Sequence, residues 1–195
     1  TMGPWDYNAN KDKINEVLGN RVKENCAYEN VYTLALRGLH DAAMGGGDVP
    51  MKEKVKMLEN ALKDQRSLLT RHIDKPAETI PQAFTPYKEV LEIYSNGLEL
   101  PDDVTIIWAD DNFGYMKRLS GPQEQKRTGR AGVYYHISYL GVPHSYLWFS
   151  TTPPALMYEE LRKAYDTTAD RIWLANCGDC LLYTSPSPRD KRQSR

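Results

Sequence analysis

Several things that this chain has little of set the first limits on what it can be. Cysteine occurs only three times in 195 residues. Cys26, Cys177 and Cys180 are too few and too unevenly placed for a disulfide framework. Cys177-Gly178-Asp179-Cys180 has the spacing of a redox pair or half a zinc site. A structural zinc takes four ligands, and no second Cys or His pair accompanies it, so no metal is expected. No apolar run approaches the about 20 residues that span a bilayer. Positive charge is not in excess: Lys and Arg total 25 against 26 Asp and Glu, for a formal net charge of -1. That balance offers no field for nucleic acid and no polybasic patch for a membrane surface. No G-x-G-x-x-G turn and no P-loop follows a strand, which removes the usual support for nucleotide binding. Thr1–Asp6 holds neither the charged nor the apolar region of a leader peptide.

What is present is ordinary for a globular protein, with 41% hydrophobic and 26% charged residues, a balance that argues against disorder. Ile14, Val17, Leu18 and Val22 recur at helical spacing. Val31–Leu36 is a continuous apolar and β-branched run, expected as a strand buried on both faces. The glycines within Met44–Asp48 require a loop. A long amphipathic helix is predicted over 52–72, then a strand over 80–84 and a helix over 86–94 that stops at Asn96-Gly97. Strands over 104–108, 132–136 and 172–176, with a helix over 154–164, complete an alternation that implies parallel β/α units.

An open doubly wound sheet and a (β/α)8 barrel both satisfy that alternation. Polar, chemically capable residues stand just past the strand ends: Arg37, His40 and Asp41; Tyr87 and Glu89; Asp110, Asp111 and Asn112; His136 and Tyr139; Asn176 and Asp179. Barrel active sites are assembled from the carboxyl ends of several strands, so this placement favours a barrel. Five strands are fewer than eight, and residues 1–179 are therefore expected to form part of a (β/α)8 TIM-type barrel. Residues 180–195 lose all periodicity and are expected to be an unstructured, non-native tail.

Each of these residues also has a plainer use. One carboxylate of Asp110-Asp111 can cap the next turn, and strand alternation sends only one of the two toward the site. Arg37 can pair structurally with Asp41, or present its fork to an anionic substrate group. Glu89, in a helix first turn, can serve the helix dipole alone. Tyr134, Tyr135, His136, Tyr139, Trp148 and Phe149 concentrate aromatic surface that suits a sugar cleft or a core. Taken together, these residues supply an acid, candidate bases and a uronate partner, which is what an inverting glycosidase requires.

The motifs Leu36-Arg37-Gly38-Leu39-His40-Asp41, Tyr87-Lys88-Glu89-Val90, Pro101-Asp102-Asp103-Val104-Thr105, Trp108-Ala109-Asp110-Asp111-Asn112-Phe113-Gly114, Gly132-Val133-Tyr134-Tyr135-His136 and Ile172-Trp173-Leu174-Ala175-Asn176, in this order, resemble glycoside hydrolase family 115. The resemblance implies a multidomain enzyme with a (β/α)8 catalytic barrel and no cofactor. Such an enzyme removes α-1,2-linked (4-O-methyl)glucuronic acid from glucuronoxylan or aldouronic oligosaccharides with inversion. It also implies a secreted or periplasmic parent that forms homodimers through domains lying outside this sequence. Carried over by position, Glu89 becomes the general acid, and Asp41 or Asp110 the base. Arg37, Tyr87, Asn112, His136, Tyr139 and Asn176 become the residues that hold the sugar. Burial is expected to raise the pKa of Glu89 enough for acid duty at neutral pH. This piece alone is expected to be inactive, and a carbohydrate-binding barrel without turnover is the alternative.

Overall fold

The structure, a computed structural model, describes residues 6–38, 42–44, 49–111, 113–138 and 152–176, apart from the side chains of Ser138 and Asn176. The expected tail and the Cys177–Cys180 motif lie outside those residues. In chain order the elements are α1 (Tyr7–Asn25), β1 (Tyr32–Thr33), α2 (Met51–Ile73), β2 (Gln82–Phe84), α3 (Glu89–Ser95), β3 (Thr105–Ala109), β4 (Ala131–Ser138), α4 (Pro154–Asp166) and β5 (Ala169–Asn176).

The strands hydrogen-bond in the order β1-β2-β3-β4-β5. Tyr32 pairs in parallel with Gln82, Ala83 with Thr105, and Val133 with Ile172. Between β3 and β4, the N–H of Ile106 donates to Arg130 O at 3.3 Å and that of Asp110 to Tyr134 O at 3.1 Å. A doubly wound sheet reverses its strand order at a switch point. Here each strand instead joins the one before it, and the fold is an α/β partial barrel.

Chain contacts divide the molecule into two compact units, one formed by the chain through Ile107 with Lys126–Arg130, the other by Trp108–Gln125 with the chain from Ala131. In the first unit, Asp6 caps α1 by accepting from the N–H groups of Asn8 and Ala9, which satisfies two donors that the helix leaves unpaired. Met57, Leu58, Ala61, Leu62 and Leu69 line one side of α2 and are buried with Leu34, Phe84, Ile93 and Val104. Spacing of three and four residues makes that side a single stripe. At the amino ends of the strands, Arg66 donates to Gln82 Oε1 at 3.0 Å and to both Asp103 oxygens at 2.7 and 3.1 Å. Arg127 meanwhile donates to the carbonyls of Leu100, Pro101 and Val104. A Cβ at Gly129 would lie 2.5 Å from the backbone of Val104, so only glycine permits that approach.

One strand departs from its expected burial. Val31 is 52% exposed, Thr33 and Ala35 face solvent, and only Leu34 and Leu36 are buried. The reason is position, because β1 begins the strand order and has no neighbour on its outer side among the described residues. The side chain of Gln65 occupies that side instead, accepting from Ala35 N–H at 3.0 Å and donating to Ala35 O at 2.6 Å. In the second unit, Val133, Tyr135, Ala164 and Ala169 are buried, while Ile172 and Leu174 of β5 remain exposed.

Candidate active site

In the first unit the site is built at the carboxyl ends of β1 and β2. Leu34 N–H donates to Ala83 O, which keeps the two strands in register, and the chain then leads to Arg37 on one side and Tyr87–Glu89 on the other. Arg37 Nε donates to Glu89 Oε1 at 2.9 Å and Nη2 to Oε2 at 3.0 Å. This is the two-pronged guanidinium–carboxylate geometry that gives both strength and orientation. The side chains are 22% and 21% exposed, so the pair stands at a surface that a solute can reach. Lys88, between Tyr87 and Glu89, has φ 50° and ψ -126°. Such backbone costs about 1–3 kcal/mol in a non-glycine residue and concentrates at functional sites. Its side chain lies over the Tyr87 ring, 5.4 Å from the centroid.

The pKa of Glu89 is the reverse of the sequence expectation. Burial pushes it up, but the hydrogen bonds and charge of Arg37, with the backbone N–H groups of Glu89 and Met44, outweigh burial and hold the carboxyl below the usual glutamate range. With Arg37 in place Glu89 is an anion at neutral pH.

The second unit separates the two consecutive aspartates by role. The Asp110 side chain is 0% exposed. Its Oδ2 accepts from the backbone N–H of His136 at 3.0 Å, and its Oδ1 lies 2.5 Å from His136 Nδ1. Asp111 turns the other way and organises its own loop. Its Oδ1 accepts from the N–H groups of Phe113 and Tyr115, and Lys117 lies 3.0 Å from Oδ2. Those bonds outweigh burial and hold its carboxyl below the usual aspartate range. Gly114 within this loop has φ 87°. Its carbonyl accepts from the Tyr135 hydroxyl at 2.9 Å, and burial pushes that phenol up to about 12. Glu160 of α4 closes the loop by accepting from Met116 N–H at 2.9 Å.

The structure therefore joins Arg37 to Glu89 and Asp110 to His136, while the contact described for Tyr87 is with Lys88. Asp41, Asn112 and Tyr139 fall outside the described residues. Asn176 closes β5 opposite Ser138. Neither pairing was visible in the sequence, where the partners are 52 and 26 residues apart. Asp111 takes the turn-capping role that one of the two aspartates was expected to have, whereas the loop role of Glu160 carried no signal, since it depends on a contact formed only in the folded loop. Among the described residues, no group of three or more His, Cys, Asp or Glu side chains could hold a metal ion.

The Asp110–His136 contact has a direct test. A carboxylate can accept from both the N–H and Nδ1–H of His136, whereas an asparagine has one acceptor and must present a donor to the other. Asp110→Asn should thus move the neutral imidazole proton from Nδ1 to Nε2, visible in the ring 15N shifts, and cost about 1–3 kcal/mol of stability. An unchanged tautomer would mean that Asp110 does not orient the ring.

A consecutively wound α/β sheet with charged pairs at its carboxyl strand ends has the arrangement of the barrel class, in which functional residues are mounted on strand ends. The family profile described as glycosyl hydrolase family 115 matches residues 1–186, and this chain belongs to that family. A solved structure described as a family GH115 4-O-methyl-α-glucuronidase with specificity for decorated arabinogalactans superposes with a TM-score of 0.85 at 40% identity. The match covers 98% of this chain and 24% of that one, so the present sequence spans about a quarter of its relative. Comparison with curated proteins finds no match.

Proposed function

We propose that the full-length protein carrying this chain is an inverting glycosidase that removes α-1,2-linked glucuronic or 4-O-methylglucuronic acid from glucuronoxylan or its oligosaccharides. The observation that carries this reading is the Arg37–Glu89 pair, a carboxylate-binding fork and an acid on neighbouring strand ends, both open to a solute. Family membership supports the same chemistry. Glu89 protonates the leaving oxygen as the C1–O bond breaks. A water attacks the opposite face of C1, giving its proton to a carboxylate base. Asp41 and Asp110 are the two choices for that base. Both oxygens of Asp110 face His136, which favours Asp41 for the base and leaves Asp110 to orient the imidazole. Arg37, Tyr87, Asn112, His136, Tyr139 and Asn176 hold the sugar. No cofactor enters this mechanism, and the protein acts outside the cytoplasm, where such polysaccharides are met.

The solved relative supplies a second reading of the substrate, because its specificity is for decorated arabinogalactans. The full-length protein should be given glucuronoxylan and a uronate-decorated arabinogalactan separately, with released uronic acid quantified and its first-formed anomer read by proton NMR. Release as the inverted anomer from xylan is the expected result, and release from arabinogalactan alone would move the substrate to the second reading. Binding of either polymer without release would instead favour a non-catalytic carbohydrate-binding barrel.

A further inference from the structure

Glu89 as found is in the wrong protonation state for an acid, and the cause is the group that would bind the substrate. Arg37 offers one positive charge. Glu89 already takes it in a two-pronged pair. A uronate arriving at the same guanidinium adds a second carboxylate, so the cluster of Arg37, Glu89 and uronate carries a net negative charge in a partly buried place. Two carboxylates sharing one site cannot both stay ionised without cost, and one of them takes a proton.

We propose that Arg37 is the specificity-determining residue through this competition: the substrate carboxylate takes over its guanidinium, and Glu89, left without its counter-ion, binds the proton that it later donates. This rests on the glucuronidase reading and adds to it that the substrate creates its own acid. The balance closes. The two N–H···O bonds on Glu89 are replaced by bonds to the uronate, and one proton enters Glu89 from solvent. That proton goes to the leaving oxygen as water adds to C1, and the base returns the water's proton to solvent. When uronic acid leaves, Arg37 and the ionised Glu89 pair again. A neutral hexoside cannot displace Glu89, so it meets an enzyme with no acid, and selectivity falls on kcat more than on KM.

Geometry favours exchange over a permanent lock. The pair is about one fifth exposed on both sides. Burial is the largest influence on Glu89 and acts upward; among the described residues, Arg37 is the charged group that opposes it, together with the backbone N–H groups of Glu89 and Met44. Removing Arg37's hold leaves burial as the main influence. Lys88, next in the chain, is set over the Tyr87 ring.

The test is calorimetric titration of the full-length protein with glucuronic acid at about pH 6, where free carboxylates are ionised, in two buffers of different ionisation enthalpy. The wild type should take up about one proton per uronate bound, and the methyl glucoside should cause no uptake. Glu89→Gln should bind uronate without uptake. Arg37→Gln, in which Glu89 has no counter-ion to lose, should also show none. Uronate binding by the wild type without proton uptake, or equal uptake by Glu89→Gln, would overturn the proposal. If the wild type releases uronic acid from polysaccharide yet takes up no proton, the coupling fails and the glucuronidase reading stands. If it neither binds uronate nor releases it, both fail.

Discussion

Glu89→Gln in the full-length protein should lower kcat for uronic acid release by about 10²–10⁴-fold, the usual contribution of a positioned general acid. The substitution keeps the shape of the side chain and one acceptor oxygen while removing the proton that the leaving group needs. KM should rise little or fall. A glutamine competes with uronate for Arg37 more weakly than the ionised glutamate that now bonds it at 2.9 and 3.0 Å. The loss should also depend on the leaving group. An aryl glucuronide with an acidic phenol departs with little protonation, so its rate should fall much less than that of the polysaccharide. Equal losses on both substrates would point to a binding or structural role for Glu89. Retention of most turnover on the polymer would remove Glu89 from the chemistry.

Much of the fold was legible because its signals are local. The apolar spacing that defines α2 depends on residues three and four apart, and the helix runs Met51–Ile73, close to its predicted limits. The β-branched run before Trp108 became β3 for the same reason. Val31–Leu36 shows where locality ends, because composition records that a segment prefers to be extended and says nothing about a neighbour on its outer side. For the aspartate pair, alternation correctly required Asp110 and Asp111 to diverge. Which of them met His136 depended on the register of β3 against β4 and on the Asp111-centred loop. The Arg37–Glu89 pair is the furthest from sequence. Its partners are 52 residues apart, and the depressed carboxyl of Glu89 exists only because the fold brings a guanidinium to it.

Trp108→Ala should destabilise the protein by about 3–5 kcal/mol, as expected when a large buried aromatic is deleted and the surroundings only partly close. Trp108 is 1% exposed and among the largest fully buried side chains described. Its indole N–H donates to the buried Ser120 hydroxyl at 2.9 Å, and the Arg118 guanidinium lies 4.7 Å from the ring centroid. Alanine therefore opens a cavity, removes the donor that Ser120 meets, and takes away the face on which Arg118 rests. Trp108→Phe fills much of the same space but lacks the N–H, so its cost should be smaller, about 1–2 kcal/mol for the lost hydrogen bond and ring area. The consequence extends to the site. Residues two apart in extended chain share a face, which sets Trp108 on the same side as Asp110, the residue just past the end of β3, and a looser Trp108 position should loosen the carboxylate that orients His136. Urea unfolding followed by circular dichroism should show the midpoint falling with little change in slope, and the His136 ring signals should broaden under native conditions. A loss below about 1 kcal/mol, in the range of ordinary surface substitutions, would mean that Trp108 does not anchor this strand, and the proposed support for Asp110 would have to come from β4 alone.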